Sequence, residues 1–347
     1  MKIKMEDRES NLDLMRLVCM LMVVTLHYFG EGGLNSSAST STFNALVGSI
    51  MVVVCRGAVN CFYINSGYFF KATVDIINSW KSTFELYKQI LFYSIVVCVV
   101  SVLLGISKLT MGAVVRAFFP ILGNQWWFAT VFLLISLLRP FLQKMVCGLR
   151  DKEVIFLLFF LMYFDAVQAV FGVNIFNESG NGLLHAITMV IFGYTIRRFN
   201  HLQLSQLKAS IVYCGSVLFA RASPLLMRCF PNLPIDYWNH IMAYNSPFII
   251  LMSWGVFCFF RGMKYRSLLI SKISTSIFAA YLIQDHSMMR EGLWKKMFHC
   301  EVFYDSNWMI VHCIISVLCI TIVCITIDQI RLNIVKKIRV HKVKDKN

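Results

Sequence analysis

The feature that most constrains this chain is its succession of long apolar runs. A bilayer core needs about 20 predominantly apolar residues per helix. Ten runs approach or exceed that length: 12–29, 45–70, 89–107, 125–142, 153–171, 183–196, 209–226, 243–260, 273–290 and 307–328. The sixth is short, and the second is long enough to contain a break. Of the 347 residues, 58% are hydrophobic and 15% charged, whereas an ordinary soluble domain carries about 25% charged residues. A water-soluble enzyme with one polar shell is excluded, and the expected fold is an all-α polytopic membrane protein of about ten transmembrane helices.

The net charge is +15, and its distribution reads as membrane topology rather than as a nucleic-acid footprint. With the N-terminus inside, the cytoplasmic segments carry 23 Lys/Arg and the outer segments 6, which places both termini in the cytoplasm. The basic stretch from Arg331 to Lys346 then lies against anionic lipid. Asp13 and Arg16 near the start of the first run, with no small-residue cleavage site after it, mark an uncleaved span rather than a signal peptide. No linker or internal repeat divides the chain, so the expected organisation is one membrane domain over 1–328 and a basic tail over 329–347. The polar stretch 31–42 is an outer loop, and the outer segments 227–242 and 291–306 are placed to cap a cavity. The twelve cysteines include no C-x-x-C pair and no zinc-type spacing. Most lie in spans, where they act as small hydrophobes; Cys229 and Cys300 fall outside, and their pairing is open.

Ionisable residues inside spans are costly and face a bundle interior or a wet cavity unless they snorkel. The first span holds Asp13, Arg16 and His27. Eleven residues separate Arg16 from His27, which on a helix returns them to one face, roughly 16 Å apart along the axis. Asp13 is one turn below Arg16 on much the same face. The second span adds Arg56, Asn60, Asn65, Ser66 and Gly67. Because it descends while the first ascends, Ser66 falls level with Arg16, and Arg56 with His27. Plainer readings stand beside a functional stripe: an interfacial Asp13–Arg16 pair, a hydrogen-bonded interfacial His27, and a Ser66–Gly67 contact that lets helices pack closely.

These residues resemble a known family. The stretch LDLMRLVCMLMVVTLHYF, with Arg16 and His27 in an R-x10-H arrangement, is similar to the first helix of the membrane acyltransferase-3 family. RGAVNCFYINSGYFF resembles its second helix through Phe62-Tyr63 and Ser66-Gly67-Tyr68, and WWFATVFLLISLLRPFL matches a further element through Trp127, Phe128 and Pro140. YNSPFIILMSWGVFCFF and ISTSIFAAYLIQDH resemble two later ones, so the likeness extends over most of 1–328. There are departures. Asn60 stands where many relatives have Pro. Gln284 stands where the family often has His, and His286 is two residues on, about 200° round the helix.

The resemblance implies an enzyme of the cell membrane that moves an acyl group, usually acetyl, from cytoplasmic acyl-CoA to a hydroxyl of a carbohydrate. Acyl-CoA would be a donor substrate, with no bound cofactor and no metal. In that chemistry Arg16 offers a planar fork to the donor, and Asp13 fixes its rotamer. His27 serves as general base or acyl carrier. Arg56, Asn65 and Ser66, with Gly67 beside them, form the supporting set that could meet a developing oxyanion. Trp127 is either an acceptor-side stacking surface or an aromatic-belt residue, and His286 is a further acceptor-side candidate. The competing class is a transporter or flippase of lipid-linked glycan, for which internal repeats are expected and none is visible.

Overall fold

The computed structural model describes residues 9–34, 41–167, 179–228 and 240–344. In chain order its helices are α1 (Ser10–Glu31), α2 (Thr42–Cys55), α3 (Ala58–Tyr68), α4 (Ile76–Leu103), α5 (Met111–Phe118), α6 (Trp127–Gly148), α7 (Asp151–Met162), α8 (Leu183–Arg198), α9 (Gln206–Arg228), α10 (Pro247–Arg261), α11 (Leu268–Ile273), α12 (Ile277–Gln284), α13 (Cys300–Phe303) and α14 (Met309–Lys344). Among the described residues there is no β-strand. Among the described residues five stretches are long and apolar enough to cross a bilayer: Ser10–Glu31, Phe43–Tyr68, Ile76–Leu103, Trp127–Gly148 and Met309–Ile338. Pro247–Arg261 and Leu268–Gln284 are shorter apolar helices. Large apolar side chains stay exposed along α4 (Phe92, Val96, Val99, Leu103) and α14 (Ile314, Leu318, Ile322, Ile330), as expected where lipid rather than water is the solvent. The described residues form an all-helical membrane protein.

Element boundaries differ from the sequence reading where local chemistry sets them. α4 begins at Ile76, well before the apolar run at 89, because the Asp75 carboxylate accepts from the Asn78 N–H at 3.0 Å and caps the helix. The tail expected from residue 329 continues α14 without interruption to Lys344. Of the two outer cysteines, Cys229 lies outside the described residues, and Cys300 is buried with a free thiol. Residues 35–40 of the outer loop and 229–239 of the first capping segment also lie outside them.

The long second run is broken, and the break is made where neighbours can supply the missing hydrogen bonds. α2 ends at Cys55 and α3 starts at Ala58, with Arg56 and Gly57 between them. In lipid the freed carbonyls need protein donors. Tyr213 Oη of α9 donates to the Val54 carbonyl at 2.9 Å, and Ser253 Oγ of α10, 2.7 Å from the Ile249 carbonyl of its own helix, also lies 2.8 Å from the carbonyl of Gly57, the N-cap of α3. Pro140 poses the same problem inside α6, since it cannot bond the carbonyl four residues back. Thr83 Oγ1 of α4 reaches the Ser136 carbonyl at 3.1 Å, and Trp80 Nε1 donates to that of Leu137 at 3.3 Å.

α1 is the central element, packed against α2, α3, α10, α11, α12 and α14. Beside it, α3 and α8 approach closely through glycine on both sides. A Cβ at Gly67 would collide with the Val190 carbonyl, and one at Gly193 with that of Ile64. Gly193→Ala therefore forces α3 and α8 apart and should cost about 1–3 kcal/mol, read as a lower Tm in detergent. An unchanged Tm would mean that the two helices are not in close contact.

A buried polar chain fixes the first turn of α3. The last turn of α7 widens into a π-helical turn over Tyr163–Val167, an extra-residue device common at special positions, and Asp165 in that turn is buried. Asp165 Oδ2 lies 2.7 Å from His185 Nδ1, and His185 Nε2 lies 2.9 Å from Asn60 Oδ1. The Asn60 amide group donates to the Tyr244 carbonyl at 2.9 Å, so its oxygen must accept, and His185 Nε2 carries a hydrogen. Asn245 Nδ2 closes the chain on the Asp165 carbonyl at 2.7 Å. Three elements thus hold the Tyr244–Asn245 turn in place. His185→Ala would leave Asp165 buried without its partner, at a cost of about 3–5 kcal/mol. A wild-type Tm in that variant would show that the chain does not hold the turn.

Candidate active site

Arg16, Met20, Val23 and His27 recur at helical spacing along one face of α1. The upper part of that face borders a cavity of about 120 Å³ lined by Met20, Val23, His27, Arg56, Trp127 and Tyr244, with Phe128 and Tyr281 closing one side. The lining stops at Met20, one helical turn from Arg16. A polar group sits near each end of the α1 face, and the wall between them is apolar.

Gln284, the last residue of α12, holds the His27 ring. Nδ1 of His27 lies 2.7 Å from Gln284 Nε2 and 3.1 Å from Oε1. Both ends of the amide are within reach, so the surrounding network selects the tautomer. With the amide oxygen turned to Nδ1–H, Nε2 keeps a lone pair for an incoming proton. Asp285 Oδ1 lies 4.0 Å from Nε2, and Arg290 lies 3.8 Å from Asp285 and 3.5 Å from Glu31. A chain of alternating charge therefore runs outward from His27 at this end of the bundle.

Arg56 enters the cavity from the break between α2 and α3. Its Nε donates to the Met242 carbonyl at 2.7 Å, and its guanidinium carbon stands 4.2 Å over the Tyr244 ring. Among the described residues no carboxylate pairs with it, so its positive charge acts on whatever occupies the cavity. Trp127 packs on Tyr244 with ring centroids 5.5 Å apart. The Tyr244 turn therefore carries both Arg56 and Trp127, and the Asp165–His185–Asn60 chain holds that turn.

At the other end of α1, Asp13 Oδ1 accepts from Arg16 Nη1 at 3.3 Å and from Ser274 Oγ at 2.7 Å. Asp13 is buried, whereas the Arg16 side chain is 26% exposed. The carboxylate is anchored and the guanidinium extends from it into accessible space.

The structure brings His27, Arg56 and Trp127 to one cavity and leaves the other sequence candidates apart from it. Ser66 Oγ donates to the Phe62 carbonyl of its own helix at 2.9 Å, and Gly67 is the close contact with α8. Asn65 Oδ1 is buried without a hydrogen-bond partner among the described residues. His286 is not in the cavity. Its Nε2 donates to the Ser94 carbonyl and its Nδ1 accepts the Met288 N–H, each at 3.2 Å, and its ring meets Trp126 edge-on. α12 ends at Gln284, so His286 leaves the helical path before it could turn towards His27. The sequence reading missed Tyr244 and the Asp165–His185 pair, and it treated Gln284 only as a departure from a pattern. Asp165 and His185 did carry a signal, as ionisable residues in or beside apolar runs.

A family profile described as an acyltransferase domain matches residues 9–327. No curated protein and no solved structure matches the chain. The matched range contains α1 with Arg16 and His27, the whole cavity and most of α14. With nearly its full length matched, the chain belongs to the acyltransferase-3 family.

Proposed function

We propose that the protein is an integral-membrane O-acyltransferase with ten traverses and both termini in the cytoplasm. It moves an acyl group, in the simplest case acetyl, from cytoplasmic acyl-CoA to a hydroxyl of a cell-surface polysaccharide or its lipid-linked precursor. The observation that carries this reading is the single α1 face with Arg16 near one end and His27 at a small cavity near the other. Fixed positive charge suits a phosphate-bearing donor, and a histidine suits removal of a proton from a sugar hydroxyl near neutral pH.

In this mechanism His27 Nε2 takes the proton of the acceptor hydroxyl as its oxygen attacks the thioester carbonyl. The carbonyl π electrons move onto oxygen, and Arg56, which lines the same cavity, stabilises the oxyanion. Collapse of the intermediate breaks the C–S bond, and the departing thiolate takes the proton from the imidazolium. With its amide oxygen turned to Nδ1–H, Gln284 keeps the ring in the tautomer that exposes Nε2, and Trp127 offers a face for the sugar ring. Prior transfer of the acyl group to His27 and then to the acceptor uses the same residues. A cavity of about 120 Å³ suits a short acyl group.

The test uses membranes containing the protein, radiolabelled acetyl-CoA and a panel of glycans. His27→Ala should lower label transfer by about 10²–10⁴-fold at unchanged protein level, and near-normal turnover would remove His27 from the chemistry. Arg16→Lys should raise the donor KM roughly tenfold, because a point charge does not reproduce a planar fork. Unchanged donor affinity would make Arg16 an interfacial side chain only. Glycan crossing sealed vesicles with no label incorporated would favour the transporter.

A further inference from the structure

The end of the bundle that carries Arg16 holds a second arginine cluster that the mechanism above does not use. α3 terminates at Tyr68, and two arginines from different helices converge on that residue. Arg261, at the end of α10, donates from Nε to Tyr68 Oη at 2.8 Å; Arg197, at the end of α8, donates from Nη1 to the Tyr68 carbonyl at 3.0 Å. Their guanidinium carbons lie 5.9 and 5.7 Å from the Tyr68 ring centroid. The ring is buried and set edge-on against Phe257 with centroids 5.1 Å apart, so the platform is rigid.

Several arginines near this end have carboxylate partners, Arg16 with Asp13, Arg198 with Asp151 and Arg331 with Asp328, whereas Arg139 stands over the Phe70 ring with no carboxylate partner among the described residues. Among the described residues Arg197 and Arg261 have none. Two unneutralised cations on one tyrosine repel each other, and a shared anion removes the repulsion. Each guanidinium carries five N–H donors in a fixed fork. Arg261 commits its Nε to Tyr68, which leaves its terminal pair of nitrogens for a bidentate acceptor. Arg197 is exposed and Arg261 half-buried, so each is open to an acceptor, and both guanidinium carbons lie within 6 Å of the one Tyr68 ring centroid.

We propose that Arg197 and Arg261, held on Tyr68, form a binding site for a phosphate ester at the Arg16 end of the bundle. The ester is borne either by the nucleotide portion of an acyl-CoA donor or by a phospholipid headgroup. Placement favours the donor. Asn11 Nδ2 of α1 donates to the Arg261 carbonyl at 3.0 Å, so the site adjoins the first turn of the helix that carries Arg16 and His27. From Asn11 to His27 the axial rise is about 24 Å, on the scale of an extended pantetheine arm. A nucleotide bound at Tyr68 could then lay its thioester along α1 towards the cavity. The donor assignment rests on the acyltransferase reading; the phosphate site itself does not.

The experiment compares wild type with Arg197→Gln and Arg261→Gln, which keep a donor for Tyr68 and remove the charge. Matching Tm values establish that the variants fold, and Arg197→Lys and Arg261→Lys replace any that do not. In nanodiscs of phosphatidylcholine, coenzyme A is titrated calorimetrically. In nanodiscs containing phosphatidylglycerol, retained anionic lipid is counted by native mass spectrometry. At least tenfold weaker coenzyme A binding in either variant is expected and identifies the donor's phosphate. Unchanged coenzyme A binding with loss of retained anionic lipid supports the site with a headgroup as its ligand. Both measurements unchanged in both variants overturn the proposal. A wild type that binds no coenzyme A counts against the acyltransferase reading, and the lipid measurement still decides the site.

Discussion

The structure depends on one constraint: within a bilayer every backbone polar group must find its partner in the protein. Each irregularity around the cavity is matched by a donor from a neighbouring helix. The break at Arg56–Gly57 is covered by Tyr213, and the carbonyls preceding Pro140 by Thr83 and Trp80. The break delivers Arg56 to the cavity, where a continuous helix would have kept that residue in register with its own turn. The polar side chains that interrupt the apolar runs therefore act as the joints that let the backbone depart from regular helix.

The same constraint accounts for the rigidity of the cavity wall. Tyr244 supports Arg56 by cation–π contact and Trp127 by ring packing. Its own turn is held by Asn60, His185, Asp165 and Asn245. A site that stabilises transient charge gains from dipoles that do not move during reaction, and a buried hydrogen-bonded chain from Asn60 through His185 to Asp165 supplies such stiffness. On the other side of His27, Gln284 fixes the ring from α12. The α1 face that carries His27 is thus braced by α12 on one flank and by the Tyr244 turn on the other.

Much of this was legible in the sequence because helical periodicity is simple. The eleven-residue separation of Arg16 and His27 placed both on one face, and the depth argument set Arg56 level with His27; both line the same cavity. The alternative offered for Gly67, close helix packing, is the role it plays against Val190. What periodicity could not convey was where a helix stops. On a helix continuing to residue 290, His286 would stand about 200° round from Gln284; with α12 ending at Gln284, its ring instead turns to Ser94 and Trp126. The Asp165–His185 pair was hidden for a related reason. It spans two helices and depends on a π-helical turn, and neither feature leaves a periodic trace.

The central claim is that transfer takes place on the face of α1, between Arg16 and His27. The most direct measurement is an experimental structure of the protein in lipid nanodiscs with a thioether analogue of acetyl-CoA, which cannot transfer its acyl group. The account predicts the analogue's acyl end in the cavity bounded by His27, Arg56, Trp127 and Tyr244, with its pantetheine arm running along α1 past Arg16. An analogue bound away from that face, with the cavity closed to it, would contradict the account.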